Sequence, residues 1–168
     1  MTVILEKETS FLFALEYEEI ANTVISAVLD YIQCPYECQV NILLTDNEGI
    51  RQTNLDMRGI DAPTDVLSFP MIEFETEGDF SVVEETPDIY FEGDSGELLL
   101  GDIMISLERV ESQAKEYNHS IKREYAFLIA HSVLHLSGYD HIDEEERKRM
   151  EQLQDMILQE IGYTRDIQ

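Results

Sequence analysis

Three of the four histidines of this 168-residue chain fall within one short segment, His131-Ser-Val-Leu-His135-Leu-Ser-Gly138-Tyr-Asp-His141. The first two are four positions apart inside an apolar run over 125–136, which predicts a buried helix. At about 1.5 Å and 100° per residue, this spacing places both imidazoles on one face of the helix, one turn apart. Gly138 stands where a left-handed residue ends a helix, so the chain can turn back and bring His141 to the same point.

Three neutral imidazoles that converge from a helix and its following turn predict a metal site with an open position. Catalytic zinc sites keep such a position, whereas structural zinc sites are closed by four protein ligands. A lone histidine on an apolar helix is more often a core residue, but a third after a glycine turn favours ligation. We therefore predict that His131, His135 and His141 hold one divalent ion per chain. All-imidazole ligation favours Zn²⁺ without excluding nickel or copper.

The spacing is also similar to the metzincin protease pattern, H-E-x-x-H-x-x-G-x-x-H. That protease needs a glutamate directly after the first histidine, as a general base toward the metal-bound water. Here the position is Ser132, which is no base near neutral pH, and no Met-turn is evident. A metzincin-like metalloprotease or other metal hydrolase is therefore the second hypothesis. It would need a carboxylate base from elsewhere in the chain, such as Asp65 or Glu97.

The histidine segment resembles the signature of the YbeY family of endoribonucleases, which reads roughly H-G-x-L-H-L-x-G-Y-D-H. Two further stretches agree with that family: Asn54-Leu-Asp-Met-Arg58 followed by Thr64-Asp-Val-Leu-Ser-Phe-Pro70, and Gly101-Asp-Ile-Met-Ile-Ser106. Because the order of the blocks and the chain length also fit, the resemblance covers essentially the whole chain. One departure is Ser132, where the family usually has glycine, and serine is small enough to keep close packing.

The resemblance implies a metal-dependent endoribonuclease that prefers single strands. It would act in maturation of ribosomal RNA, at the 3′ end of the small-subunit RNA, and in ribosome quality control. The implied partners are ribosomal RNA and the small ribosomal subunit. A third reading stays open, a ribosome-assembly factor whose metal is structural and whose nuclease activity is weak or absent.

Arg58 is the candidate for contact with the RNA phosphate. A guanidinium can grip the scissile or an adjacent phosphate with two hydrogen bonds and stabilise the charge of the transition state. A cation at a helix C-terminus is also a common complement to the helix dipole. Because the chain has few basic residues and the family motif matches here, we favour phosphate contact as the role of Arg58.

Several polar residues are candidates for the surroundings of the metal. Thr64, Asp65 and Ser68 are predicted to fix a turn and line the cleft. Metal-bound imidazoles usually donate their other N–H to a carboxylate or carbonyl, and candidates for that role are Asp65, Asp102 and Asp140. The fourth histidine, His119, is predicted to lie at the surface.

The net charge of −25 opposes RNA binding, since phosphate neutralisation supplies most of the affinity of nucleic-acid binders. Ten of the 36 acidic residues fall within 73–97, which contains no lysine or arginine. This acidic segment is predicted to be a solvated, mobile insertion between two strands. RNA contact must then be local, or must depend on the metal and on a partner with a basic surface, such as a basic ribosomal protein.

The order of the elements predicts one α+β domain over 1–168, a small mixed sheet packed by helices with the histidine helix central. Strands are expected at 2–5, 40–44, 66–69 and 98–106, the last two as central strands. Helices are expected at 18–31, from a capping box at 45–48 to 57, from 107 to 117, after Ser120, and from 143 to 161.

The compartment is predicted from what the sequence lacks. No apolar run approaches the roughly 20 residues of a membrane span, and the first residues do not form a secretion signal. Cys34 and Cys38 are interpreted as ordinary thiols of a reducing compartment. These features together predict a cytoplasmic protein.

Overall fold

Runs of branched and aliphatic residues form a four-stranded sheet in the computed structural model, which describes residues 1–167. The strands are β1 (Thr2–Lys7), β2 (Cys38–Thr45), β3 (Val66–Pro70) and β4 (Leu98–Ser106). Their order across the sheet is β1-β2-β4-β3, with β1, β2 and β4 parallel and β3 antiparallel to β4. Because β4 has a neighbour on each side, it is buried at most of its positions.

Six helices pack around the sheet: α1 (Tyr17–Tyr31), α2 (Asn47–Arg58), α3 (Pro87–Tyr90), α4 (Leu107–Glu116), α5 (Ile121–Leu136) and α6 (Glu144–Glu160). The helix that carries the first two histidines, α5, packs against α1, α4, α6 and two strands. Eleven of its 16 residues are buried, so little of its surface reaches solvent. The predicted α+β class, with the histidine helix central, is confirmed.

Side-chain caps set the start of the helices that position the site. Ser120 Oγ accepts a hydrogen bond from the N–H of Arg123 at 3.0 Å, which begins α5 as predicted. The cap of α2 is Asp46, which accepts from the N–H of Gly49 at 3.0 Å, one residue later than the predicted capping box. Gly59 then ends α2 in the left-handed conformation, with φ of 71°, so Arg58 is its last helical residue.

Two sequence-based predictions about position are wrong. The strand at 66–69 was expected to be central, but β3 lies at the edge of the sheet and pairs only with β4. His119 was expected at the surface, but its side chain is 7% exposed and its Nε2 lies 3.5 Å from Glu124 Oε2. The turn after α4 folds His119 back against α5, and burial raises the pKa of the Glu124 carboxyl to about 7.

The acidic segment contributes side chains to the core. It forms a 3₁₀ turn over Phe80–Glu84 and the short helix α3, and both Phe80 and Val83 are buried. Its carboxylates remain at the surface, apart from Glu97, so the segment is solvated on one side and packed on the other. Its mobility stays a prediction. Among the described residues, no helix combines the length and apolar character needed to cross a membrane.

Gly101 in β4 is a point where the fold has no room for a side chain. Its φ is +149°, and a Cβ would lie 2.4 Å from the carbonyl oxygen of Phe69 and 2.8 Å from Leu136 Cδ2. We expect Gly101→Ala to lower the free energy of unfolding by about 3 kcal/mol, because the strained backbone and the overpacking both act against the native state. Urea denaturation measures the change.

Gly93→Ala is the matched control, since a Cβ there meets nothing within 4 Å and no positive φ is involved. Its stability should stay within about 0.5 kcal/mol of wild type. Equal stability of the two variants would contradict the close approach of β3 and α5 at Gly101.

Candidate metal centre

The structure brings His131, His135 and His141 together. One ring nitrogen of each lies within 4.8 Å of those of the other two. The Nε2 atoms of His131 and His135 are 3.0 Å apart, and the ring of His141 lies 5.3 and 4.7 Å, centroid to centroid, from the rings of His131 and His135. Two of these rings come from successive turns of α5 and the third from the turn that follows it.

Gly138 makes the turn possible. Its φ is +94°, and a Cβ at this position would lie 2.7 Å from Phe74 Cβ, so both the backbone and the packing require glycine. The N–H of Tyr139 donates to the carbonyl of Leu134 at 3.0 Å, which closes the end of α5. The chain reverses within three residues and returns His141 to the level of His135.

Hydrogen bonds to Nδ1 determine which ring nitrogen of His131 and His135 carries the proton, and hence which nitrogen has a free lone pair. His135 Nδ1 lies 3.0 Å from the carbonyl oxygen of Tyr139, which can only accept, so this nitrogen carries the proton. His131 Nδ1 lies 3.3 Å from Gln154 Oε1. The amide nitrogen of Gln154 donates to the carbonyl of Phe127 at 3.4 Å, which turns its oxygen toward the histidine. His131 is therefore also protonated on Nδ1.

Two unprotonated Nε2 lone pairs then face each other across 3.0 Å. Such an arrangement is repulsive unless a cation lies between or beside them, and neutral imidazole nitrogens with the opposite N–H held by a carbonyl or carboxylate are usual metal ligands. The donor set therefore fits a divalent metal ion. His141 is more exposed than the other two, which leaves access from solvent on its side.

Burial keeps the two helical imidazoles neutral. Desolvation lowers the pKa of His131 from its ordinary value. Desolvation, together with the neighbouring His131 and His141, lowers the pKa of His135 to about 4. Both rings are then in the form that binds metal at neutral pH, so no proton has to be removed from them on binding.

We expect His135 in chelator-treated protein to stay neutral until the pH approaches 4. The reason is that its folded-state pKa lies below the ordinary 6.5, so the charged form is gained only at lower pH. The chemical shift of its ring C–H, followed by NMR over pH 7 to about 4, reports the titration. A midpoint near 6.5 would contradict the desolvated, clustered environment.

A cleft of about 560 Å³, which we call the metal cleft, opens beside the histidines. Its walls come from the end of α2, the edge strand β3 and the turn after α5, and they include the predicted residues Arg58, Thr64, Asp65, Ser68 and Asp140. Phe69, Phe74 and Tyr139 also line it. The open edge of β3 thus forms a wall of the cleft.

Arg58 is the cation of this cleft. It is exposed, and it has no carboxylate partner within ion-pair distance among residues 1–167. Asp65 accepts hydrogen bonds from the N–H of Val66 at 2.8 Å and the hydroxyl of Thr64 at 3.3 Å, which fixes the start of β3. Asp140 Oδ1 lies 3.9 Å from His141 Nδ1.

Two of the candidate carboxylates lie elsewhere. Asp102 is exposed on β4, accepts a hydrogen bond from Asn41 at 2.8 Å and does not line the cleft. Glu97, the possible base of a protease, accepts from the hydroxyl of Thr2 at 3.0 Å and lies 3.5 Å from the N-terminal amine. The register of β4 pairs Asp102 with Asn41, and Glu97 precedes that strand. Within residues 1–167, neither carboxylate is hydrogen-bonded to one of the three clustered histidines.

The groups that hold His131 and His135 in place were not singled out in the sequence. They are Gln154 and the backbone carbonyl of Tyr139. Gln154 is fully buried and shares a helical face with Met150 and Ile157, so a polar residue at a core position was the available signal. A backbone carbonyl leaves no signal in the sequence.

We expect Gln154→Leu to weaken metal binding about 10- to 100-fold, because His131 loses the acceptor that fixes its tautomer and ring orientation. Leucine has a similar volume and suits a buried position, so the fold should persist. Competition with a chromophoric chelator measures the affinity.

Gln159→Leu is the control, on the same helix but exposed. It should bind metal as wild type does. Equal affinity of Gln154→Leu and wild type would show that the contact with His131 does not support the site.

Known proteins resemble this chain over nearly its whole length. The family model for endoribonuclease YbeY matches residues 4–162. The chain belongs to the YbeY endoribonuclease family. Proteins named endoribonuclease YbeY are 55% identical in Lachnoclostridium phytofermentans and 52% identical in Agathobacter rectalis, each over 98% of this chain and 100% of the relative. The relative in Clostridium perfringens is 43% identical over 99% of both chains.

A solved structure supports the fold. The solution structure of a Thermotoga maritima protein superposes with a TM-score of 0.54 at 23% identity, over 96% of this chain and 91% of that chain. The resemblance to the endoribonuclease family is thus confirmed, and the metalloprotease reading is not favoured. The position of Glu97 removes one of the two carboxylates on which that reading relied.

Proposed function

We propose that this chain is a metal-dependent endoribonuclease that cuts single-stranded RNA and acts in maturation of the small-subunit ribosomal RNA and in ribosome quality control, in the cytoplasm. The single observation that carries the chemistry is the placement of three convergent imidazoles and Arg58 around one cleft. The names of the relatives support RNA as the substrate.

His131, His135 and His141 are the proposed ligands of one divalent ion, with Zn²⁺ the ion that all-imidazole ligation favours. Such an ion supplies a positive charge that lowers the pKa of water toward neutrality and polarises a phosphoryl oxygen. The protein's part is to hold the three rings in place: α5 fixes two of them, and Gln154 and the Tyr139 carbonyl fix their tautomers.

Arg58 is proposed to bind the phosphate at the scissile bond. A guanidinium donates two parallel hydrogen bonds to phosphate oxygens and stabilises the charge that develops as the phosphorus is attacked. Arg58 has no carboxylate partner within the described part of the chain, so no ion pair has to be broken before its guanidinium binds RNA. Its position at the end of α2 holds it at the mouth of the cleft.

The cleft also supports a preference for single strands. Phe69, Phe74 and Tyr139 lie in its walls, where an unpaired base can stack, whereas paired bases in an A-form helix are not available for stacking. Asp65 and Asp140 are the carboxylates of the cleft and are the proposed proton acceptors there. Attack by water leaves a 5′-phosphate or 3′-phosphate end, and attack by the ribose 2′-hydroxyl leaves a 2′,3′-cyclic phosphate.

We expect Arg58→Ala to reduce cleavage of a single-stranded RNA about 100-fold or more, because the transition state loses a charged hydrogen-bond donor. Metal content should be unchanged, since Arg58 is no ligand. Single-turnover cleavage of an end-labelled RNA gives the rate, and mapping the product ends identifies the nucleophile.

Arg58→Lys, which keeps the charge but not the paired donors, should fall between wild type and Arg58→Ala. Arg147→Ala is the matched control, an exposed arginine on α6 paired with Glu144. If Arg58→Ala cleaves as fast as Arg147→Ala, the proposed phosphate contact is wrong. Metal bound with no RNA cleavage by wild type would instead favour the assembly factor with a structural metal.

A further inference from the structure

A second cleft, of about 770 Å³, lies on the other side of the turn that carries His141. We call it the α6 groove. It shares Gly138, Tyr139 and Asp140 with the metal cleft, and its apolar lining consists of Tyr31, Tyr139, Ile142, Met150, Leu153 and Met156. Three of these are strongly exposed: Ile142 at 83%, Tyr31 at 44% and Met156 at 40%. Single exposed apolar side chains are ordinary, but several that meet in one groove are typical of an interaction site.

The charge of the α6 groove is negative. Glu77, Asp140 and Glu146 line it, against one cation, Arg149. Within residues 1–167, none of these three carboxylates forms an ion pair with a lysine or arginine. The groove therefore offers apolar surface and uncompensated negative charge together.

The acidic segment is fixed against this groove. The N–H of Gly78 donates to the carbonyl of Ser137 at 2.9 Å, at the end of α5. Gly78 also lies so close to Tyr139 that a Cβ there would be 3.1 Å from the phenolic oxygen. These contacts hold Glu77 at the rim of the groove, and the segment to which it belongs, residues 73–97, contains ten acidic residues and no basic ones.

We propose that the α6 groove docks a protein segment that is both cationic and apolar, presented by a basic RNA-binding partner. The apolar side chains of that segment would cover Tyr31, Ile142 and Met156, and its lysines or arginines would pair with Glu77, Asp140 and Glu146. RNA itself is disfavoured here, because its phosphates would meet three carboxylates and one arginine. This inference deepens the proposed function and rests on it, together with the basic partner that the net charge of −25 predicts.

Docking at this groove would place the partner directly beside the metal cleft. The turn over residues 138–140 belongs to both clefts, and its Tyr139 carbonyl holds His135. A basic partner that carries RNA would thus bring the strand to the histidines, although the chain itself has a net charge of −25. The local arrangement offsets a charge that would otherwise repel the substrate.

The test is binding of a short fluorescent peptide of lysine and leucine, with its leucines at helical spacing, measured by anisotropy at about 0.15 M salt. We expect wild type to bind it saturably, and Met156→Glu and Glu77→Lys each to weaken binding about tenfold. The matched controls are Ile89→Glu and Asp88→Lys, which change the same residue classes at exposed positions outside the groove. Both should bind within roughly twofold of wild type.

Equal weakening by the control variants would overturn the proposal, since it would reduce binding to general attraction to an acidic surface. Tighter binding of single-stranded oligoadenylate than of the peptide, lost in Met156→Glu, would overturn it in favour of an RNA subsite.

Cleavage of protein-free RNA separates this inference from the proposed function. Met156→Glu should cleave such RNA as wild type does. Weakened peptide binding together with normal cleavage therefore supports docking at the groove. Wild-type peptide binding by both Met156→Glu and Glu77→Lys refutes docking and leaves the nuclease proposal unaffected.

Discussion

The Nε2 atoms of His131 and His135, 3.0 Å apart with their protons on the opposite nitrogens, create a need for a positive charge at one point of the molecule. Protonation of the rings satisfies it poorly, because burial lowers the pKa of both His131 and His135. A divalent metal ion would satisfy it, with His141 as the third candidate donor. The tight turn at Gly138 brings His141 to the other two histidines, and the buried amide of Gln154 holds the ring of His131.

The rigidity of that arrangement comes from the core. α5 is buried along most of its length and packs against three other helices and the sheet, so the two helical histidines cannot move apart without disturbing the packing. Gly101 lets β3 and α5 approach closely, and β3 in turn forms a wall of the cleft that faces the histidines. The same strand, left without a partner at its outer edge, keeps the cleft open to a substrate.

Local spacing predicted a good part of this, and tertiary packing decided the rest. The four-residue interval between His131 and His135, the glycine at 138 and the cap at Ser120 act through neighbouring residues, so the sequence is sufficient for them. Gln154 reaches His131 from another helix, and Asp102 misses the cleft because of its register on β4. Neither placement follows from spacing along the chain. His119 was wrongly predicted to lie at the surface because the turn after α4 folds inward. A polar residue at a helix boundary gives no sequence signal for such a turn.

An RNA substrate needs positive charge in the metal cleft, and the side chains that line it do not supply enough, because Arg58 is accompanied there by two carboxylates, Asp65 and Asp140. The proposed metal ion would supply the rest. The central claim is that the three imidazoles bind a metal on which cleavage depends. Elemental analysis of purified protein, paired with cleavage of a single-stranded RNA by wild type, His135→Ala and the control His119→Ala, tests it most directly. About one metal per chain, with metal and cleavage lost in His135→Ala and kept in His119→Ala, is the predicted result. Cleavage by His135→Ala at the wild-type rate would contradict it.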